Sequence, residues 1–411
     1  MGRNSNSAPP PTSASPLRVL LISRCPPYPL HLGDRLIVYH LARELSERGH
    51  TIDLLAFDDG SADDDSDVYG AFFRHITVLP DPERSPVDYV RRLVMPSARF
   101  PQAANQAWSP DMWRAIREHV MNDQYDIAHL FGGIQVYEYL HAVKPLPVMI
   151  TPYESYSLYL RRQVEAGAGW GARAQWFAAR EYERWMFAPY PRVIVLTDRD
   201  RDELRTLDPM LRLSVIPNGV DLGHFIPPYS DSPREPNTIL FTGNFGYPPN
   251  LDAALFLANE ILPRVQSRIP AARLWLVGAN PPPELLALAD DTITVSGQVA
   301  DMRPYFARAS VFASALRMGA GIKNKVLEAM AMGCPMVATP LSLDGINAKH
   351  GDAVLISAPD AKTIAGAITR VLGDPDLSAR LRRNARLLIE REYNWTTIAG
   401  RYETLYREVI G

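Results

Sequence analysis

The segment GAGIKNKVLEAMAMG, residues 319–333, combines charged side chains with a helix that is otherwise apolar. Val326 and Met330 recur at helical spacing, while Lys323 and Lys325 stand at its start. Lysines at a helix N-terminus oppose the helix dipole by about 0.3–1 kcal/mol each, and a bound anion would reverse the sign of that interaction. The pattern therefore predicts a phosphate-binding site at the start of this helix.

Glu328 extends this predicted site, because it lies three residues after Lys325 on the same helical face. A carboxylate there can accept hydrogen bonds from a pair of hydroxyl groups, such as those of a ribose. The alternative is a Lys325–Glu328 pair on a solvated face, which the apolar surroundings disfavour because buried charges need partners. The preceding turn adds the cation Arg317 and glycines that let the backbone approach a ligand closely.

The elements that must position these residues alternate between strands and helices. LRVLLIS is a predicted buried strand, a helix ending at Gly49 follows, and TIDLLAF is the next strand, so the sheet is expected to be parallel. The alternation is interrupted by the Pro- and Ser-rich stretch IPPYSDSPREPN and restarts with TILFTG. We therefore predict an α/β protein with two doubly wound Rossmann-like domains that face a cleft.

The predicted boundaries are a disordered tail over 1–16, a first domain over 17–222, a linker over 223–236, a second domain over 237–388, and a helix over 389–411 that returns to the first domain. The helix predicted over 170–187 carries three tryptophans among three arginines, a composition that could contact an anionic membrane surface. We favour the alternative of a crossover helix packed on the sheet.

Composition narrows the function classes. A hydrophobic content of 46% with 22% charged residues is ordinary for a globular protein, and the net charge of −3 argues against a general nucleic-acid binder. The two cysteines, Cys25 and Cys334, are predicted to be free thiols. No His/Cys cluster has zinc spacing, and no apolar run approaches the length of about 18 residues that would span a membrane.

Four segments in order resemble the retaining glycosyltransferases of family 4, which have two Rossmann-like domains in the GT-B arrangement. They are FTGNFGYPPNLDAALF, SGQVADMRPYFARASV, IPNGVDLGHF and the long stretch ALRMGAGIKNKVLEAMAMGCPMVATPLSLDGI. The resemblance covers residues 17 to 408 approximately. Within the family, the chain is most similar to the bacterial exosortase (PEP-CTERM)-associated sugar transferases.

This resemblance implies a nucleotide-sugar donor site in the second domain. Glu328 would bind the ribose hydroxyls, and the backbone of Gly319, Ala320, Gly321 and Ile322 would meet the donor phosphates or sugar. Gly297, Gln298 and Val299 would contact the base through their backbone. Gly243 would form a tight turn beside the phosphates, and Gly33 of the first domain would face the donor from the other side.

Two departures from the family's pattern shift the expected roles. Ala320 stands where many members carry a glutamate, and GNFGYPPN stands where an arginine and a lysine are usual. The diphosphate charge is therefore expected to be met by Arg317, Lys323 and Lys325.

On the acceptor side, Glu154 in TPYES follows a predicted strand and is the acid–base candidate. Tyr153 occupies the place of a common family histidine, and His129 either faces the cleft or packs as a structural histidine. Arg35 either holds an anionic group or caps local charges.

The D-x-D pair Asp65 and Asp67 lies in the acidic stretch FDDGSADDDSDVYG and could suggest a metal-bound donor. Val68 occupies the position where a calcium loop requires glycine, so we predict a solvated acidic loop and no metal site.

The expected reaction is transfer of a sugar from a nucleoside diphosphate to an acceptor hydroxyl with retention, without metal or cofactor. Domain closure about the linker would exclude water. The acceptor would be a glycan, a lipid-linked glycan or a small molecule in polysaccharide or glycolipid biosynthesis, in the cytoplasm or at the inner membrane face. Two alternatives remain open: a nucleotide-sugar epimerase of similar fold, and a catalytically silent nucleotide-sugar-binding protein.

Overall fold

The computed structural model describes residues 15–30, 33–60, 66–165, 167–227 and 234–411. The tail over 1–14, the linker residues 228–233 and Asp65 of the acidic stretch lie outside these ranges.

The first domain is built on a seven-stranded parallel sheet with the order β3-β2-β1-β4-β5-β6-β7. Its strands are short apolar runs, as expected for a sheet covered on both faces. They are β1 (Arg18–Ser23), β2 (Thr51–Asp58), β3 (His75–Pro80), β4 (Ile127–Phe131), β5 (Val148–Tyr153), β6 (Val193–Val195) and β7 (Leu213–Val215).

Helices cover both faces of this sheet, and two separate apolar cores lie between the helices and the strands. The helices are α1 (Gly33–Glu47), α2 (Ser66–Tyr69), α3 (Pro86–Val94), α4 (Pro96–Arg99), α5 (Pro110–Asn122), α6 (Ile134–Tyr137), α7 (Tyr156–Glu165), α8 (Trp170–Phe187) and α9 (Asp198–Leu207).

The second domain has a six-stranded sheet with the order β10-β9-β8-β11-β12-β13 and its own apolar core. The strands are β8 (Glu235–Thr242), β9 (Arg273–Val277), β10 (Ile293–Val295), β11 (Ala309–Ser314), β12 (Met336–Ala338) and β13 (Leu355–Ile356). The helices are α10 (Pro248–Phe256), α11 (Leu262–Gln266), α12 (Pro283–Leu286), α13 (Arg303–Arg308), α14 (Asn324–Ala331), α15 (Ala361–Gly373) and α16 (Pro375–Glu392).

The last helix, α17 (Trp395–Ile410), packs against α1 and completes a core of the first domain. The chain crosses back at Tyr393 and Asn394, where the Val220 N–H donates to the Tyr393 carbonyl at 2.7 Å. Trp395, Ile398 and other apolar residues of α17 are buried there, so the C-terminal segment ties the two domains together.

The helix that opened the sequence argument begins at Asn324, directly after Lys323, and the glycines lie in the turn before it. Gly319 and Gly321 have φ angles of 116° and 69°, a left-handed conformation that a helix cannot contain. Residues 319–323 therefore form a loop between β11 and α14, which we call the glycine loop.

Candidate functional site

The glycine loop is held by two cationic side chains that bind its carbonyl groups. Lys323 folds back so that its Nζ donates to the carbonyls of Ala320, at 2.7 Å, and of Gly321. Arg162, at the end of α7 in the first domain, donates to the Gly319 carbonyl. Because the C=O and N–H of one trans peptide point in opposite directions, these bonds turn the N–H groups of the loop away from the two cations.

Lys325 points toward the end of β8. Its Nζ donates to the Asn250 side-chain oxygen and lies 4.6 Å from the centre of the Phe241 ring. A Cβ added at Gly243 would come within 2.9 Å of this Nζ, so the ammonium group occupies the turn where the family's usual cations are missing. Burial and the neighbouring Lys323 charge lower the pKa of Lys325 to about 7.

Glu328 faces a cavity of about 320 Å³ between the domains, together with Asn324, Asp221 and His224. Burial raises the pKa of this carboxyl to about 7, against the opposing effect of the Lys325 charge. A partly buried carboxylate beside a cavity is suited to accept hydrogen bonds from ligand hydroxyl groups.

Gly297, Gln298 and Val299 follow β10 at the carboxyl edge of the second sheet. The Gly278 N–H donates to the Gly297 carbonyl at 3.2 Å, and a Cβ at Gly278 would lie 1.9 Å from the Gly243 carbonyl oxygen. Gly243 and Gly297 are thereby held on either side of Gly278. However, residues 297–299, although described by the structure, line neither of the two cavities of the cleft.

Asn324 contacts the first domain across the cleft. The Asn218 amide donates to its Oδ1 at 2.8 Å, and a Cβ at Gly33 would lie 3.4 Å from its Nδ2. Gly33 therefore faces the start of α14. The sequence argument assigned no role to Asn218 or Asn324, because the pairing of residues so far apart in the chain has no local signal.

Glu154 is positioned by a strained turn at the end of β5. Tyr153 has a φ of 66°, and the Glu154 N–H donates to the Pro152 carbonyl at 2.8 Å, which closes a γ-turn. This turn projects the Glu154 side chain onto the glycine loop, where a Cβ at Gly321 would lie 3.0 Å from Oε2. Although Glu154 is exposed at the cavity, the protein atoms packed around it remove part of its hydration, and this desolvation and the nearby Asp200 raise its pKa, while the Lys323, Arg162 and Arg24 charges lower it less.

A larger cavity of about 1220 Å³ extends from this point into the first domain. At one end it is lined by Tyr153, Glu154, the glycine loop and Asn324. Its other end lies between α3 and α8 and is lined mainly by apolar and aromatic side chains, with Gln175 and Glu183 among them. Glu183, on the wall formed by α8, is occupied structurally, because it accepts the Tyr156 N–H at 2.6 Å at the start of α7.

The structure does not place Arg317 where the sequence argument expected a donor-binding and catalytic cation. Its guanidinium binds the Asp252 carboxylate through two hydrogen bonds of 3.0 and 2.6 Å and stacks 4.1 Å over the Phe256 ring. The predicted role of Arg317 is therefore corrected: it joins the β11–α14 connection to α10.

Two acceptor-side residues take the structural one of the two roles that the sequence left open. His129 is fully buried, with its ring nitrogens 2.8 Å from Tyr406 Oη and 2.8 Å from Thr151 Oγ1, and burial lowers its pKa. It is a neutral core residue and does not face the cleft. Arg35 is buried as well and binds the Tyr28 carbonyl and the Asp59 carboxylate, so it secures the loop before α1.

An ion-pair cluster that the sequence did not indicate joins the domains beside the glycine loop. Asp344, nearly fully buried after β12, accepts from Arg162 Nη2 at 3.0 Å and lies 3.0 Å from Arg199 Nε. Both arginines belong to the first domain. A Cβ at Gly345 would lie 3.1 Å from the Leu196 carbonyl oxygen, which shows that the domains touch closely here.

Among the described residues, Asp53, His119 and Asp123 bring three potential metal ligands together. They lie at the opposite edge of the first sheet from the cleft, and the Arg74 guanidinium already contacts both carboxylates. This group therefore has the composition of a structural ion-pair cluster.

Comparison with known proteins agrees with this arrangement in both halves of the chain. The family described as Glycosyltransferase Family 4 matches residues 36–224, and the family described as Glycosyl transferases group 1 matches residues 236–374. Both parts of the chain therefore match glycosyltransferase families. The predicted two-domain GT-B fold is confirmed as well.

Relatives of this glycosyltransferase include mannosyltransferases. The GDP-mannose:cellobiosyl-diphosphopolyprenol alpha-mannosyltransferase of Xanthomonas oryzae is 24% identical over 77% of this chain and 79% of its own length. The MMP alpha-(1->4)-mannosyltransferase of Mycolicibacterium hassiacum is 23% identical over 92% of this chain and 95% of its own. Sucrose-phosphate synthase from Thermosynechococcus elongatus superimposes with a TM-score of 0.71 at 20% identity, over 96% and 99% of the two chains.

Within the described part of this glycosyltransferase, no helix has both the length and the apolar character needed to cross a membrane.

Proposed function

We propose that the chain transfers a sugar from a nucleoside diphosphate donor to an acceptor hydroxyl with retention of anomeric configuration. One observation carries this proposal: Glu154 and the glycine loop line the larger cavity, Glu328 lines the smaller one, and Asn324 lines both. The glycine loop turns its N–H groups away from Lys323 and Arg162, and such groups suit a diphosphate that is losing its sugar.

The donor occupies the smaller cavity and the glycine loop. Glu328 accepts hydrogen bonds from the ribose hydroxyls, and Gly33 and Asn324 border the diphosphate. Lys325 supplies a positive charge that neutralises the diphosphate from the end of β8. The base extends toward Gly297, Gln298 and Val299. Lys323 acts mainly by holding the loop, because both of its hydrogen bonds go to loop carbonyls.

The acceptor occupies the larger cavity, with its reactive hydroxyl beside Glu154. The name of the Xanthomonas relative specifies GDP-mannose as donor and a lipid diphosphate as acceptor. An acceptor with an apolar tail fits this cavity, whose end between α3 and α8 is mainly apolar. We therefore propose a lipid-linked glycan as the acceptor, met at the cytoplasmic face of the membrane.

The chemistry needs no protein nucleophile. The bond from the anomeric carbon to the phosphate oxygen breaks, the acceptor oxygen bonds to the same face, and the leaving phosphate oxygen takes the acceptor proton. Residues of the chain stabilise the negative charge that develops on the diphosphate and the positive charge that develops on the sugar ring. Glu154 stabilises the positive charge on the sugar ring and orients the acceptor hydroxyl. The proposed site uses no metal and no cofactor.

The test begins with thermal stabilisation by a panel of nucleoside diphosphate sugars, because a ligand of the folded state raises the melting temperature. The donor that stabilises is then incubated with short-chain lipid diphosphate glycans, and the anomeric configuration of the product is read by NMR. Transfer with retention is expected, and inversion would refute the mechanism. An epimer formed from the donor alone would indicate an epimerase, and binding without transfer or hydrolysis would indicate a silent binding protein.

A further inference from the structure

Helix α3 is amphipathic, but its apolar side faces outward and its buried side carries a charged residue. Val87 and Val94 are 73% and 64% exposed, and Val90 between them is also exposed, so one apolar stripe faces outward. The buried side of the same helix holds Arg92, which donates to Glu138 at 2.8 Å and stacks 3.9 Å from the Trp108 ring. A helix that faces only water places its apolar stripe inward, so this face indicates a partner.

Helix α8 presents a second exposed face of similar character. Trp170 and Phe177 are 83% and 64% exposed, and they share one side of the helix with Arg173 and Arg184. The Arg173 guanidinium lies 5.1 Å from the centre of the Trp170 ring. Large apolar side chains with arginines beside them are the composition of helices that lie in a membrane interface.

The two helices that carry these faces border the larger cavity. Helices α3 and α8 pack against each other, and the mainly apolar end of the cavity is lined by Tyr89, Val90 and Leu93 of α3 and by Ala178 and Tyr182 of α8. Val90 is both exposed and part of the lining, so the cavity reaches the surface there. The opposite end of the cavity is at Glu154.

The charges of this surface favour an anionic partner. Arg91, Arg173 and Arg184 are exposed on it. The acidic residues of the two helices are less exposed, because Asp88 and Glu181 are half-buried and Glu183 is buried, and Glu181 lies 3.9 Å from Arg184.

We propose that this α3–α8 surface docks on an anionic lipid bilayer, with the apolar tail of the acceptor entering the cavity between the two helices. The second part rests on the proposed function, since it requires a lipid-linked acceptor. Val87, Val94 and Phe177 insert among the lipids, and the arginines contact the headgroups. The acceptor then reaches Glu154 without its tail leaving the bilayer.

Co-sedimentation with vesicles tests the docking. The full chain is expected to bind vesicles of phosphatidylcholine with phosphatidylglycerol, and to bind less to phosphatidylcholine alone. The double variant V87D/V94D and the variant F177D are expected to lower the partition coefficient by about tenfold or more, because charged side chains insert poorly. The matched control is L387D, since Leu387 is 60% exposed on α16 of the second domain; it should bind as the unmodified chain does.

A transfer assay with a water-soluble short-chain acceptor separates this proposal from the function. Val87, Val94 and Phe177 line neither cavity, so their variants should keep full activity with that acceptor and lose it with a long-chain acceptor in vesicles. Equal vesicle binding by all variants, or none by the unmodified chain, would overturn the docking whether or not transfer occurs. If the unmodified chain is a dimer and V87D/V94D is a monomer, a second copy of the chain covers this surface instead.

Discussion

At the scale of single residues, Lys325 is a cation whose charge should respond to a bound donor. Burial and Lys323 lower its pKa to about 7, so at pH 8 it is largely neutral in the free protein. A bound diphosphate raises that pKa, so binding takes up a proton. The contribution of Lys325 to donor affinity should therefore be greatest below pH 7 and fall as the pH rises toward the raised pKa of the complex, whereas the Glu328 carboxylate, whose pKa is also about 7, contributes most above pH 7. Calorimetry at pH 8 in two buffers of different ionisation enthalpy measures the uptake.

The variant K325M should bind donor about 10- to 100-fold more weakly and without proton uptake, because it loses a charge-assisted hydrogen bond. Its matched control is R317M, which removes a nearby cation that is paired with Asp252 instead. R317M should leave donor affinity nearly unchanged. An equal loss of affinity in the two variants would mean that Arg317 leaves Asp252 and binds the donor.

Glu154 should control the acidic limb of the pH–rate profile. Desolvation and Asp200 raise its pKa, so the ionised form, and with it kcat, should appear only as the pH rises above the usual range of a glutamate. E154Q should lower kcat by about 10²- to 10⁴-fold and remove this limb, while donor affinity changes little. If the acidic limb persists in E154Q, the limb reports the titration of another group.

At the scale of elements, Gly321 is a position of the glycine loop that tolerates no side chain. Its φ of 69° already disfavours other residues, and an added Cβ would lie 3.0 Å from Glu154 Oε2. Gly351 is the matched control, with a φ of 75° and no heavy atom within 4 Å of its added Cβ. Both G321A and G351A should lower the free energy of unfolding by about 1–2 kcal/mol, the cost of the left-handed conformation.

Only G321A should also lower turnover, because it displaces the Glu154 carboxylate. Urea unfolding and steady-state rates measured on both variants separate the two effects. If G351A impaired turnover as much as G321A, the loss would come from general destabilisation.

Elements were predictable where their cause is local. The periodicity of residues 170–187 predicted a helix, and α8 spans Trp170–Phe187. The alternation of apolar runs predicted two parallel sheets, and the two glycines predicted the turn before α14, where Gly319 and Gly321 have positive φ. Glu328 and Lys325 could be recognised from their spacing on one helix. Arg162 and Asp344 could not, since their contact joins two domains and is fixed only by the complete fold.

At the scale of the whole molecule, Asp344 holds the two domains together beside the site. It contacts both Arg162 and Arg199, so its carboxylate stabilises the arrangement in which Glu154 reaches the glycine loop. D344N should weaken that arrangement by about 1.5–3 kcal/mol, the range for a hydrogen bond to a charged group. The domains should then separate more often, with a larger radius of gyration in X-ray scattering and lower turnover at low donor concentration.

Saturating donor should restore the compact form of D344N, because a ligand that binds both domains favours their closed arrangement. D252N is the matched control: it breaks the Asp252–Arg317 ion pair, which lies within the second domain, and should leave the radius of gyration unchanged. If D344N remained as compact as the unmodified chain without donor, the domain interface would be maintained by the other contacts, chiefly α17 and the Asn218–Asn324 hydrogen bond. Turnover would then fall only through the loss of Arg162 from the Gly319 carbonyl.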